Sequence, residues 1–157
     1  MRLVHRGRVL RLCVAFLCAI LPNIAQACSC RPTSVRDAVA NADVVFRGTI
    51  IEIRDAQRDV ITNIVQPRKL IAVFRVRQVW KGDVAETFEM PAIKNPGGIC
   101  VGFGPDILKV GNEVLVYAIK PSGTADYVTS ICSRTRLARE STDFQELGPG
   151  MAPKGLK

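Results

Sequence analysis

The residues that could do chemistry sit together in one run, Cys28-Ser29-Cys30-Arg31-Pro32. Residues 1–27, just upstream, read as a secretory leader. Arg2, Arg6, Arg8 and Arg11 form a positive start, Leu12 to Leu21 is an unbroken apolar run, Pro22 ends it, and Ala25-Gln26-Ala27 is an A-x-A cleavage site. Cleavage there makes Cys28 the first residue of the mature chain. One residue then carries a free α-amino group, a carbonyl and a cysteine side chain at a single chain end. The chemistry this combination favours is the blocking of a metal centre held by another protein.

Two other readings of the same stretch fit less well. A membrane span needs about 20 apolar residues, and this run is about half that. A lipoprotein would carry an acylated Cys28, but Ala25 stands where such signals usually place Leu, and Gln26 fits poorly too. Cys13 and Cys18 leave with the leader.

The remaining 130 residues are one domain's worth, 28–147 followed by a Gly/Pro/Lys-rich stretch, 148–157, expected to be a flexible tail. That length can bury a real core. The whole chain carries a formal +8, and without the leader's arginines the mature part is near +4. No cluster of Lys and Arg is interleaved with aromatics, so no nucleic-acid partner is expected and the charge reads as a solvated surface. Four cysteines stay with the mature chain: Cys28, Cys30, Cys100 and Cys132. An even number in an exported chain implies disulfides. Cys28 and Cys30 stand too close to pair with each other. Two pairings are left, and each ties the N-terminus to both Cys100 and Cys132, fixing a chain end that would otherwise fray. The only histidine, His5, lies in the leader. Its loss removes the usual general base, the histidine-dependent nucleophile systems and the commonest zinc ligand. Asp37, Asp43, Glu52, Asp55, Glu86 and Glu89 show no spacing that suggests an acid/base pair, so no enzyme and no cofactor of its own is expected.

The elements that must position the run follow from periodicity. Ser34 can cap a short helix with Asp37 at the capping-box position, and Val35, Ala38, Val39 and Ala42 give it one apolar face. Val44 to Ile53 is a β-branched strand. A charged loop, 54–69, leads to the clearest strand, Leu70 to Val79. There Leu70, Ala72, Phe74 and Val76 share one face, and Arg75 and Arg77 the other. Lys81-Gly82-Asp83 is a turn, Ala85 to Met90 a strand, and Asn95-Pro96-Gly97-Gly98 a break. The segment 102–113 is loop, and Gly102-x-Gly104 by itself carries no weight. Val114 to Ile119 and Tyr127 to Cys132 read as the last two strands, with a short helix over Ala138 to Leu147 that packs through Phe144 and Leu147. Five short strands punctuated by turns predict a mainly β fold, a five-stranded Greek-key barrel of the OB type with one or two short flanking helices.

These residues resemble a known family. Cys-Ser-Cys-Arg-Pro after a signal peptide is similar to the mature N-terminus of the tissue inhibitors of metalloproteinases. Asn41-Ala42-Asp43-Val44-Val45-Phe46-Arg47 resembles the segment that opens their first strand, and Val79-Trp80-Lys81-Gly82 their aromatic-Lys-Gly turn. The match spans roughly 28–135 and looks like a short, single-domain, bacterial-type member. Ala40 stands where the animal inhibitors have a third cysteine, and their cysteine-rich C-terminal half is missing. The resemblance implies a netrin-like OB barrel and bridges Cys28–Cys100 and Cys30–Cys132. It also implies inhibition of a zinc metalloprotease, whose catalytic zinc is chelated by the α-amino nitrogen and carbonyl oxygen of Cys28. Ser29 would enter the specificity pocket, Cys30, Arg31 and Pro32 would continue along the cleft, and Ile99, Cys100 and Val101 would supply a second contact strip. The expected protein is a secreted or periplasmic monomer with no stable membrane insertion once the leader is cut. The alternative is a netrin-like module that binds partners without inhibiting them, since fold does not fix function.

Overall fold

The structure is a computed structural model that describes residues 29–55, 70–93, 100–104 and 106–155. The leader, Cys28, most of the 54–69 loop, the 95–98 break and Ile99 lie outside these residues.

Helix α1, Val35–Asn41, begins where its sequence predicts. Asp37 N–H donates to Ser34 Oγ at 3.1 Å, and the Ser34 hydroxyl donates to the Asp37 carboxylate at 2.7 Å. The two side chains thereby satisfy each other and one open helix donor. Val35, Ala38 and Ala42 are buried and Val39 packs beside them. At the other end Lys81 Nζ donates to the Val39 and Ala40 carbonyls at 2.8 and 2.9 Å. A cation there satisfies acceptors that the helix leaves open and complements its dipole.

Strands β1 (Val44–Asp55), β2 (Leu70–Lys81), β3 (Thr87–Ala92), β4 (Glu113–Ala118) and β5 (Arg136–Leu137) form one antiparallel sheet in the order β3-β2-β1-β4-β5. The fold is mainly β. β1 pairs with β2 along most of its length and with β4 over Val44–Thr49. Its pairing with β2 shifts register after Val45, Arg47 and Ile50, and such irregularities bend a strand and raise its twist. The β2 alternation is as predicted: Ala72, Phe74 and Val76 are buried, Leu70 is half-buried, and Arg75 and Arg77 are exposed.

Two apolar clusters lie on opposite faces of the sheet. One gathers Phe46, Phe74, Phe88, Met90, Phe103, Val114 and Val116. Phe46 meets Phe74 edge-on, with centroids 5.4 Å apart, a preferred aromatic geometry. The other cluster sets Ala38 and Ala42 of α1 against Val45, Leu115 and Tyr117. β4 is therefore buried on both faces. Gly82, just past β2, lies against the start of β1: its φ is +82° and a Cβ there would sit 2.5 Å from the Asp43 carbonyl oxygen, so no side chain fits.

Three expectations meet a different arrangement. Tyr127 to Cys132 is not a strand. Val128 and Ser130 make single bridges to Ile119 and Val101, residues 131–134 turn, and the fifth strand is Arg136–Leu137. Hydroxyls cause the change: Ser133 Oγ donates to the Ser130 carbonyl at 2.8 Å, and Cys132 N–H to Ser130 Oγ at 3.2 Å. These local bonds offer the backbone an alternative to a ladder. The single helix expected over 138–147 is a 3₁₀ turn, Ala138–Glu140, and a separate one-turn helix α2, Phe144–Leu147. Between them Asp143 N–H donates to Ser141 Oγ at 3.2 Å. Phe144 and Leu147 pack inward as predicted. Finally, the stretch read as a flexible tail runs back along β2. Met151 exchanges two backbone bonds with Val79 at 2.8 and 2.9 Å, Lys154 bridges to Ala85, and Trp80 Nε1 donates to the Gly148 carbonyl at 2.9 Å. No helix among the described residues is long and apolar enough to cross a membrane.

Candidate functional site

Ser29, Cys30, Arg31 and Pro32 are exposed and lie outside any helix or strand. An exposed segment with no regular structure is normally mobile. Here two attachments hold it. The first is the Cys30–Cys132 disulfide, with Cα atoms 5.2 Å apart and the cysteines separated by 102 positions in sequence. This is the pairing the resemblance implied. The second is Arg134 Nη1, which donates to the Thr33 carbonyl at 2.7 Å.

Arg134 is itself fixed from inside the protein. Its Nε donates to Asp143 Oδ2 at 2.9 Å and its Nη2 to Oδ1, a bidentate fork. Tyr117 on β4 donates its phenol O–H to Asp143 Oδ2 at 2.9 Å. The Asp143 side chain is 0% exposed and that of Arg134 23%, so the pair is screened little by solvent. Burial alone would raise the Asp143 carboxyl, but the bonds from Arg134 and Tyr117 outweigh it and hold the group below its ordinary value. Burial, then the bond to Asp143, pushes the Tyr117 phenol well above its ordinary range. Arg134 also has φ +67°, a left-handed backbone outside glycine. Such strain persists where its surroundings over-determine it, and Arg134 has bonds on three of its guanidinium nitrogens.

The second expected strip meets the same turn from the other side. Ile131 N–H donates to the Cys100 carbonyl at 3.1 Å, Val101 bridges to Ser130, and Gly102 N–H donates to Thr129 at 2.8 Å. Cys100 is disulfide-bonded, with its partner outside the described residues. Val101 is 44% exposed and Ile131 39%, so both present apolar surface beside the Cys30–Cys132 bridge. Gly102, given no weight in the sequence, is what lets this strip approach the sheet. Its φ is +101°, and a Cβ would stand 2.3 Å from the Ile93 carbonyl oxygen.

The turn 130–134 thus brings Ser29–Pro32 together with Cys100 and Val101 on one exposed edge. Cys28 and Ile99, the other expected members, lie outside the described residues. Among the described residues, the backbone of Ser29 and Cys30 makes no hydrogen bond. An exposed segment with unpaired backbone, tied at Cys30 and at Thr33, can be laid into a groove on another protein and exchange backbone bonds there. Arg134, Asp143 and Tyr117 were missed by sequence reasoning. The one available signal was a tyrosine in an otherwise aliphatic strand, whose hydroxyl needs a partner when buried. Neither the family models nor the curated proteins compared with this chain gives a match.

Proposed function

We propose that the protein is an exported inhibitor of zinc metalloproteases that works through its N-terminal edge. The observation that carries this reading is the Cys30–Cys132 bridge, which fixes an exposed Ser29–Pro32 strip beside Cys100 and Val101. Cleavage after Ala27 would leave Cys28 with a free α-amino group. That group titrates near 7.7–8.0, against about 10.4 for lysine, so losing its proton to bind zinc costs little near neutral pH. A catalytic zinc has three protein ligands and an open position for water. The Cys28 amine and carbonyl would take that position, Ser29 would enter the adjoining pocket, and Cys30 to Pro32 would follow the cleft. Pro32 fixes φ and lowers the ordering cost of binding. No acyl group precedes Cys28, so the edge is not cleaved.

The finer fold reading, a netrin-like OB barrel, has support in the strand order. β4 lies beside β1 after a long connection, and the sequence β4-β1-β2-β3 is the order of a Greek key. Backbone bonds also link Phe103 N–H to the Ile93 carbonyl, Gly102 N–H to the Thr129 carbonyl and, as an exchanged pair, Val128 with Ile119, the direction in which a barrel would close.

Two refolded chains test the mechanism, one starting at Cys28 and one with a single Ala in front. Against a panel of zinc metalloproteases, the first should inhibit and the second should lose at least about a hundredfold, since an amide nitrogen is a poor zinc ligand. Equal inhibition by both would place the contact elsewhere. Inhibition by neither would favour a netrin-like binding module, a reading helped by the exposed Val101, Ile119 and Ile131.

A further inference from the structure

An open groove of about 530 Å³ runs between the Ser29–Pro32 strip and the 131–136 turn. Arg31, Arg134, Arg136 and Glu140 supply its charges. One of the four is already neutralised: Arg134 forks onto buried Asp143. Glu140, the groove's one carboxylate, makes only an exposed, solvent-screened pair with Arg139 at 3.5 Å. Arg31 and Arg136 have no carboxylate partner among the described residues. Arg136 is half-buried and its Nε donates to the Arg134 carbonyl at 3.2 Å, which steadies the guanidinium at the groove wall. Arg31 sits on the strip itself. The groove therefore offers two guanidinium groups with no direct ion pair next to the edge, Arg136 feeling only the longer-range field of buried Asp143.

We infer that this groove receives acidic side chains of the protein into which the strip inserts, and so selects partners with carboxylates on the rim of the receiving cleft. This rests on the reading of Ser29–Pro32 as an inserted edge. The planar guanidinium fork matches a carboxylate bidentately. Like-sign charge on a partner's rim would be rejected, because juxtaposed like charges cost several kcal/mol across an interface. Uncompensated rim charge also steers encounter, so the groove acts on association rate more than on residence.

The groove can be tested apart from inhibition. The mature, oxidised chain is titrated with hexaglutamate and with hexaglutamine while its backbone amide resonances are followed. Hexaglutamate should shift the amides of Arg31 and of residues 131–136, and hexaglutamine should not. Arg31→Gln with Arg136→Gln should weaken that binding about tenfold. Arg75→Gln with Arg77→Gln, an equal charge change on the exposed face of β2, should leave it within about twofold. Should Arg136→Gln disturb β5, Arg31→Gln alone, at an exposed residue, gives the same reading. Equal loss in both double variants would mean that only net charge matters and would overturn the proposal. Displacement of hexaglutamate by inorganic phosphate at matched charge would make this a free-anion site and overturn it as well. Against any protease the chain inhibits, the Arg31/Arg136 double variant should associate about tenfold more slowly, with a shallower salt dependence. If the Cys28-start chain inhibits nothing, the functional reading fails while the peptide titration still decides the groove.

Discussion

Replacing Asp143 with Asn is expected to lower the unfolding free energy by about 3 kcal/mol, because it removes a fully buried carboxylate and leaves a half-buried Arg134 without its counter-charge. For a domain of this size that is a drop in melting temperature of about 10 °C. Tyr117→Phe, which removes one bond to the same carboxylate and leaves the Arg134 fork intact, should cost about 1–2 kcal/mol. The effect has a definite pH signature. Asp143 in the folded protein is held below its ordinary value, by Arg134 and Tyr117 against burial. A depressed carboxyl stabilises the fold fully above its unfolded pKa, about 3.9, and that contribution is lost as pH falls further toward the folded value. The gap in stability between the parent and Asp143→Asn should therefore be constant from neutral pH down to about 5 and close below about 4. Denaturant melts at a series of pH values measure it. A gap under about 1 kcal/mol at pH 7, or one that widens in acid, would show that the carboxylate does not hold Arg134 as described.

The second large effect concerns the bridge. Converting both Cys30 and Cys132 to Ala should lower stability by about 4–5 kcal/mol, the chain-entropy range for a loop near 100 residues. The Cys100 bridge stays in place in this variant, so the loss reports one cross-link. The edge should respond more strongly than the core. Amides of Ser29 to Arg31 should sharpen toward the line widths of a mobile segment, while Val114 to Tyr117, in the middle of β4, keep their positions. A loss below about 1.5 kcal/mol, or an unchanged Ser29–Pro32, would mean that Arg134 alone positions the edge.

What the sequence revealed follows how local each signal is. Helix α1 was legible because its cap, Ser34 with Asp37, and its apolar face lie within nine residues of one another. β2 was legible because alternation shows within the strand. The last strand was misplaced because Tyr127 to Cys132 has apolar spacing, yet Ser130 and Ser133 bind their own backbone and turn the chain early. The final residues looked unstructured because Gly and Pro favour no regular element. Their order comes from tertiary contacts instead, with Met151 on Val79 and Gly148 on Trp80. At the candidate site the Cys-x-Cys run stood out as a motif, whereas its support did not. Tyr117, Arg134 and Asp143 come from three separate parts of the chain and meet only through the fold. Lys81 is a similar case. It read as part of a turn, and the fold places its ammonium on the carbonyls of Val39 and Ala40 at the end of α1.

The hydrogen bond from Arg134 to Thr33 has a consequence for how the protein meets reducing conditions. That contact needs no sulfur. With its bridges reduced, the segment ahead of Thr33 would pivot there instead of coming free of the domain. Ser29 to Pro32 would then sweep a radius of roughly 14 Å, four residues of extended chain. A tether so short keeps the Cys30 thiol at millimolar effective concentration near Cys132. Reduction would blunt the edge without dispersing it, and reoxidation would restore it within the same molecule. Removing the pivot, by Arg134→Gln, should slow that reclosure in a glutathione buffer.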